Sequence, residues 1–180
     1  MAQIKSVTAQ PDKALIKTAK ESSRYAFIAE QRGGPLTKTV HHQLMSWARA
    51  CSEHILLLIG ENIDNRLIYA LQVAEAWENN LVPTGVAMKA SLGAHAVARA
   101  SSKPVLTAVA RSIGHAVATA HMADHSMGAA LYALKAVKFA GKSICEEKAW
   151  QTAQLQLLPT DIAKLVLATM KVKEKGFDLN

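Results

Sequence analysis

Residues 114–137, GHAVATAHMADHSMGAALYALKAV, set three histidines and an aspartate into an alanine-rich run of helical character. An imidazole near neutral pH can ligate a metal, move a proton, or hydrogen-bond between close-packed helices. His121 and His125 are four residues apart, a spacing that lets two imidazoles on one helix reach one ion, with Asp124 beside them as ligand or orienter. On a continuous helix, at about 100° per residue, Gly114, His121, His125, Gly128 and Tyr132 share one narrow stripe, and His115 points away from it. A catalytic zinc needs a third ligand from elsewhere, and the glutamate of an HExxH helix is absent. His54, His95 or Glu53 could serve, and spacing does not choose among them. The stripe also has a metal-free reading: glycines above and below let a neighbouring helix approach, the imidazoles bond to carbonyls or to Asp124, and Tyr132 closes the row with its hydroxyl at an edge.

Other chemistry is thin. No GxGxxG or GxxxxGK[ST] supplies a phosphate cradle, and Ser112 and Ser126 lie near histidines without a GxSxG elbow. Asp64 and Arg66 suit a structural ion pair at a helix start. The adjacent His41 and His42 point to different faces and read as surface and boundary residues. Cys51 and Cys145 form no CxxC pair and read as small buried hydrophobes of a reduced protein.

The elements that must hold these groups are helices. Of 180 residues, 50% are hydrophobic but only 5% aromatic, so the apolar volume comes from small side chains that favour helix and close backbone approach. That composition predicts one compact all-α domain, a bundle of about seven to eight helices spanning 1–180, with 1–34 a helical extension and 35–175 the core. The opening residues lack a signal-peptide core and the longest aliphatic run, Ile55 to Ile59, is too short for a bilayer, so a cytoplasmic protein with no membrane partner is expected. The formal charge of +7 invites an anionic partner, but the cations are scattered apart from Lys171, Lys173 and Lys175, which argues against a nucleic-acid surface.

An opening helix is expected over about 12–31, stopped by Gly33-Gly34-Pro35; the next, about 37–59, starts at a Thr37 cap, and Asp64 caps a third through about Asn79. Pro83-Thr84 opens a helix to about Ala100, and Ser101 to Pro104 restart the chain. The helical pattern then runs to Gly141, a rod of about 60 Å if unbroken, too long for a domain this size. A break is expected at Gly114 or within 124–128. Ser143 with Glu146 reads as a capping box for about 144–157, and Thr160 or Asp161 as the cap of a last helix to about Lys173. Residues 91–100 and 112–120 share a Ser-x-Gly-(x)-His-Ala-Val-Ala pattern, a candidate internal repeat.

The 114–137 stretch is similar to the signature region of a putative immunity protein family, small all-α proteins associated with bacterial polymorphic-toxin systems. Supporting matches are Leu36-Thr37 with His42, Leu44, Trp47-Ala48, Cys51 and Glu53, then Arg66 to Trp77, His95 to Arg99, and Leu158-Pro159. The resemblance covers most of 36–167 and implies a protein that binds and neutralises a cognate toxin, with no catalysis and no cofactor. The candidate binding residues chosen from the 114–137 stretch are His115, His121, Asp124 and His125, with Tyr132 as an edge donor. A homodimer is compatible with it. The alternative is a metal-dependent enzyme, a hydrolase in class, using a divalent ion such as Zn on His121 and His125 with Asp124 as orienter. Many immunity proteins against nucleases are acidic, whereas this chain is at +7, which implies either another kind of target or a locally acidic patch; Glu75 to Glu78 and Glu146-Glu147 are its small acidic clusters.

Overall fold

The structure, a computed structural model, describes residues 24–179. Thr37 is extended, and its hydroxyl accepts from the Val40 amide at 3.4 Å to open α1, Lys38–His54, which runs into a 3-10 turn at Leu56–Ile59. The Asp64 carboxylate caps α2, Asn65–Glu78, through the Arg66 amide, and also holds the Arg66 guanidinium at 2.7 Å; that bond lowers the Asp64 acid to about 2. Then come α3, Thr84–Ala100, and α4, Pro104–Ala118, whose proline occupies the first turn, where the missing N–H costs nothing. The remaining helices are α5, His125–Phe139, α6, Ile144–Leu155, and α7, Thr160–Lys173. Ser143 accepts from the Glu146 amide at 3.2 Å, as its capping-box position predicts. The described residues hold seven helices and no strand, only a single bridge between Ala29 and Leu36, and none of the helices is long and apolar enough to cross a membrane.

The centre of the fold is α4. Val109, Ile113, Ala116 and Val117 are fully buried, and the helix packs against α1, α2, α3 and α5. Ala48, Ala116 and Ala129 meet where α1, α4 and α5 cross, which side chains larger than methyl would hold apart. A serine chain runs through the same seam. Ser112 donates to the Ala129 carbonyl at 2.8 Å and Ser52 to the Ala48 carbonyl at 3.1 Å, and the two hydroxyl oxygens lie 2.8 Å apart. A second apolar cluster, with Phe27, Leu44, Trp47, Met127, Leu155 and Val166, joins the N-terminal segment, α6 and α7 to the body.

Several expectations are corrected. The long rod breaks at residues 119–124, not at Gly114, which sits inside α4. Side chains take the carbonyls there: His41 Nε2–H donates to Thr119 O at 2.6 Å, Arg32 to His121 O at 3.1 Å, and the Thr119 hydroxyl to His115 O. His41 is accordingly buried at 2% exposure instead of lying at the surface. Most of the expected 12–31 helix lies outside the described residues; from Ala26 the chain turns, with a 3-10 turn at Glu30–Arg32 whose carbonyl Glu30 O accepts from Gly33. α7 starts from Pro159 without a side-chain cap, so Thr160 is its first residue, not its cap. Cys51 is buried, as read, but Cys145 is exposed on the first turn of α6.

Candidate functional site

The helix break rearranges the histidines. With 119–124 forming a turn, His121 no longer shares a stripe with His125; it is exposed and meets no other ring among the described residues. His115, which a continuous helix would have turned away, is the hub. Its ring lies 5.2 Å from His95 on α3, 5.3 Å from His125 at the start of α5, and stacks on Tyr132 at 5.2 Å. Tyr132 in turn meets Phe177 edge-on at 5.0 Å. His95, His115, Tyr132 and Phe177 therefore form a continuous row of rings across α3, α4, α5 and the C-terminal turn.

Two glycines make the row. A Cβ at Gly114 would come 2.6 Å from the His95 ring, and one at Gly128 would come 2.8 Å from the His115 ring, so each imidazole rests on a bare stretch of the next helix. Serines one turn away lock the same contacts: Ser91 donates to Gly114 O at 2.8 Å and Ser112 to Ala129 O at 2.8 Å. The α3/α4 and α4/α5 interfaces thus use one Ser-and-His-on-Gly clasp twice, which gives the repeat seen between 91–100 and 112–120 a physical meaning.

Hydrogen bonds fix the charge states. Arg111 donates from Nη1 to His95 Nδ1 at 3.2 Å, so that nitrogen is unprotonated and His95 is neutral with its hydrogen on Nε2. His115 Nδ1 and His125 Nδ1 lie 3.2 Å apart, a separation at which one donates and the other accepts; two protonated rings would turn N–H against N–H. Burial, then the Arg111 and Arg99 charges, lowers His95 to about 4. Burial, then the His125 and His95 rings, lowers His115 to about 3. His125 is also lowered, by burial first and against the opposing pull of Asp124. At neutral pH the row is uncharged imidazole.

Asp124 stands at the N-terminus of α5 but makes no cap bond; its Oδ2 faces Lys173 Nζ at 3.3 Å and Arg24 at 3.8 Å, and its buried Oδ1 has no partner. The structure thus brings His115, Asp124, His125 and Tyr132 together, leaves His121 at the rim, and adds His95 and Arg111. The sequence offers His95 as one of several possible third ligands and within the 91–100 repeat, whereas Arg111, just before the second repeat, carries no sequence signal. Among the described residues no three His, Cys, Asp or Glu side chains converge as a metal's ligands would, and the i, i+4 geometry behind a His121/His125 ion site does not exist.

Two other features lie apart from the row. His54 Nδ1 bonds the buried Glu147 Oε2 at 2.8 Å and stacks on Trp150 at 3.7 Å, and Gln151 holds the other Glu147 oxygen. An open hollow of about 850 Å³ is lined by Lys38, His42, Trp77 and Leu81 among others, with His41 at its floor.

The profile of the family described as Imm-5 like putative immunity protein matches residues 34–158, well over half of the chain and every ring of the row up to Tyr132. No curated protein and no solved structure matches.

Proposed function

The chain belongs to the Imm-5 like putative immunity protein family, and from that premise we propose that it neutralises a cognate toxin by binding it directly, without catalysis and without a cofactor. The observation that carries the reading is the match over 34–158, which spans α1 to α6 and so the whole frame that holds the histidine row. The architecture supports it: a rigid, alanine-packed body with half-buried rings and charged side chains at one face is a preformed surface, which lowers the ordering cost of association. On this reading His115, Asp124, His125 and Tyr132 form the centre of the contact, and His121 sits at its edge.

The test is co-expression with the toxin domain encoded in the same locus. Growth restored only when this protein is present, together with a complex of fixed stoichiometry that survives chelator, is the expected result. Arrested growth despite abundant soluble protein would refute it. Protection abolished by chelator would favour the metal-dependent alternative.

A further inference from the structure

We propose that the face around the histidine row docks a carboxylate-rich segment of the protein partner, a surface that deepens the toxin-binding reading and rests on it for the partner's identity. The charges on this face are one-sided. From α3 come His95 and the exposed Arg99, from α4 Arg111 and His115. From α5 and its preceding turn come His125, Asp124 and the exposed His121. Lys173 on α7 and Arg24 on the N-terminal segment complete it. Around these rings the described residues bring four permanent cations against one carboxylate, and Asp124 is already shared by Lys173 and Arg24.

Among the described residues Arg99 and Arg111 meet no carboxylate within ion-pair distance, and the one side-chain bond of Arg111 is to His95 Nδ1. A guanidinium donating to a neutral imidazole has most of its donors left for a planar oxyanion, and carboxylate is the side-chain group that fits that fork. The rings add flat, half-buried area among these charges, and aromatic area with arginine beside it is enriched at protein interfaces. The chain's +7 supplies long-range attraction for an acidic partner. An acidic toxin surface also removes the apparent conflict between this charge and the acidic character of immunity proteins that mask basic nucleases.

Binding of carboxylates here has a second signature. Anions placed beside His95, His115 and His125 favour their protonated forms, which burial and the neighbouring cations disfavour in the free protein. The complex therefore takes up protons, and affinity rises as pH falls through the range where the bound imidazoles titrate. Glutamate side chains stay ionised at pH 6 to 8, so for a peptide with its α-amino group acetylated the pH dependence comes from the protein.

The probe is an N-acetylated hexaglutamate peptide, with hexalysine as control, titrated into the full chain at low salt while the histidine ring resonances are followed by NMR. The expected result is perturbation centred on His95, His115 and His125, with binding tighter at pH 6 than at pH 8. Arg99→Glu with Arg111→Glu weakens it about tenfold or more. Arg99→Glu alone, at an exposed site, gives a smaller loss in the same direction and guards against misfolding of the pair. Unmoved ring resonances, or affinity indifferent to both variants, would overturn the proposal even if co-expression protects against the toxin. Peptide binding without protection would instead leave the surface standing and remove the toxin from the account.

Discussion

Gly114→Ala tests the histidine row without touching a histidine. The new methyl would stand 2.6 Å from His95 Cε1 and 2.7 Å from Nδ1, whereas ordinary carbon contacts begin near about 3.5 Å, so the ring must move by about 1 Å. Moving it strains or breaks the 3.2 Å Arg111 bond, and overpacking of this kind costs about 1–3 kcal/mol. Against that, alanine is favoured over glycine inside a helix by about 0.8–1 kcal/mol. The net expectation is a loss of about 1 kcal/mol, a fall in Tm of about 2–4 °C for a chain of this size. Because the three atoms nearest this Cβ all belong to His95, the cost should largely vanish in a His95→Ala background, where Gly114→Ala should instead stabilise by up to about 1 kcal/mol. Urea unfolding of the four proteins of this cycle gives the coupling energy, expected at about 1–3 kcal/mol. A stabilising Gly114→Ala in the parent, or a coupling near zero, would mean that the ring does not rest on this glycine.

Acid should destabilise the fold early. His95 and His115 titrate lower folded than unfolded, so between about 6.5 and 4 the unfolded chain binds more protons and stability falls as pH falls. Discounted for partial exposure, the loss between pH 7 and pH 5 is about 1–2 kcal/mol, and His115→Gln should flatten it in denaturant melts. A thiol reagent should titrate one cysteine of the native protein, Cys145, and both after unfolding, because Cys51 is buried and its thiol pushed well up. Ser143→Ala should cost about 1 kcal/mol through the lost α6 cap, whereas Thr160→Ala should cost little, since that hydroxyl caps nothing.

The sequence was legible where local rules decide. Thr37, Asp64, Pro104 and Ser143 start helices by hydrogen bonds and backbone geometry that reach only a few residues, and their helices begin where those residues lie. That the long rod must break is legible from its length, but its position after Ala118 is not, because it is held by His41 and Arg32, which are 78 and 89 residues from the carbonyls they bind. On a continuous helix His121 falls in the row and His115 outside it; with the turn at 119–124 the structure exchanges them. Gly114 was read as a place for a kink, while its role is to leave room for a ring from another helix. The exposed position of Cys145 follows from its place on the first turn of α6, whose buried side is taken by Glu147, Gln151 and Leu155.

The doubled serine and histidine clasp also bears on how the chain finds this fold. It joins α3 to α4 and α4 to α5 across connections of only 101–103 and 119–124, so closing each helical hairpin loses little loop entropy. Contacts so close in sequence form early, and α4 is the helix both hairpins share. Folding should therefore nucleate on α3, α4 and α5, with α1, α6 and α7 condensing afterwards. Ser91→Ala and Ser112→Ala should then slow refolding more than they speed unfolding, and the reverse pattern in stopped-flow kinetics would place the nucleus elsewhere. The face that carries the histidine row is thus assembled in the first part of the molecule to take shape.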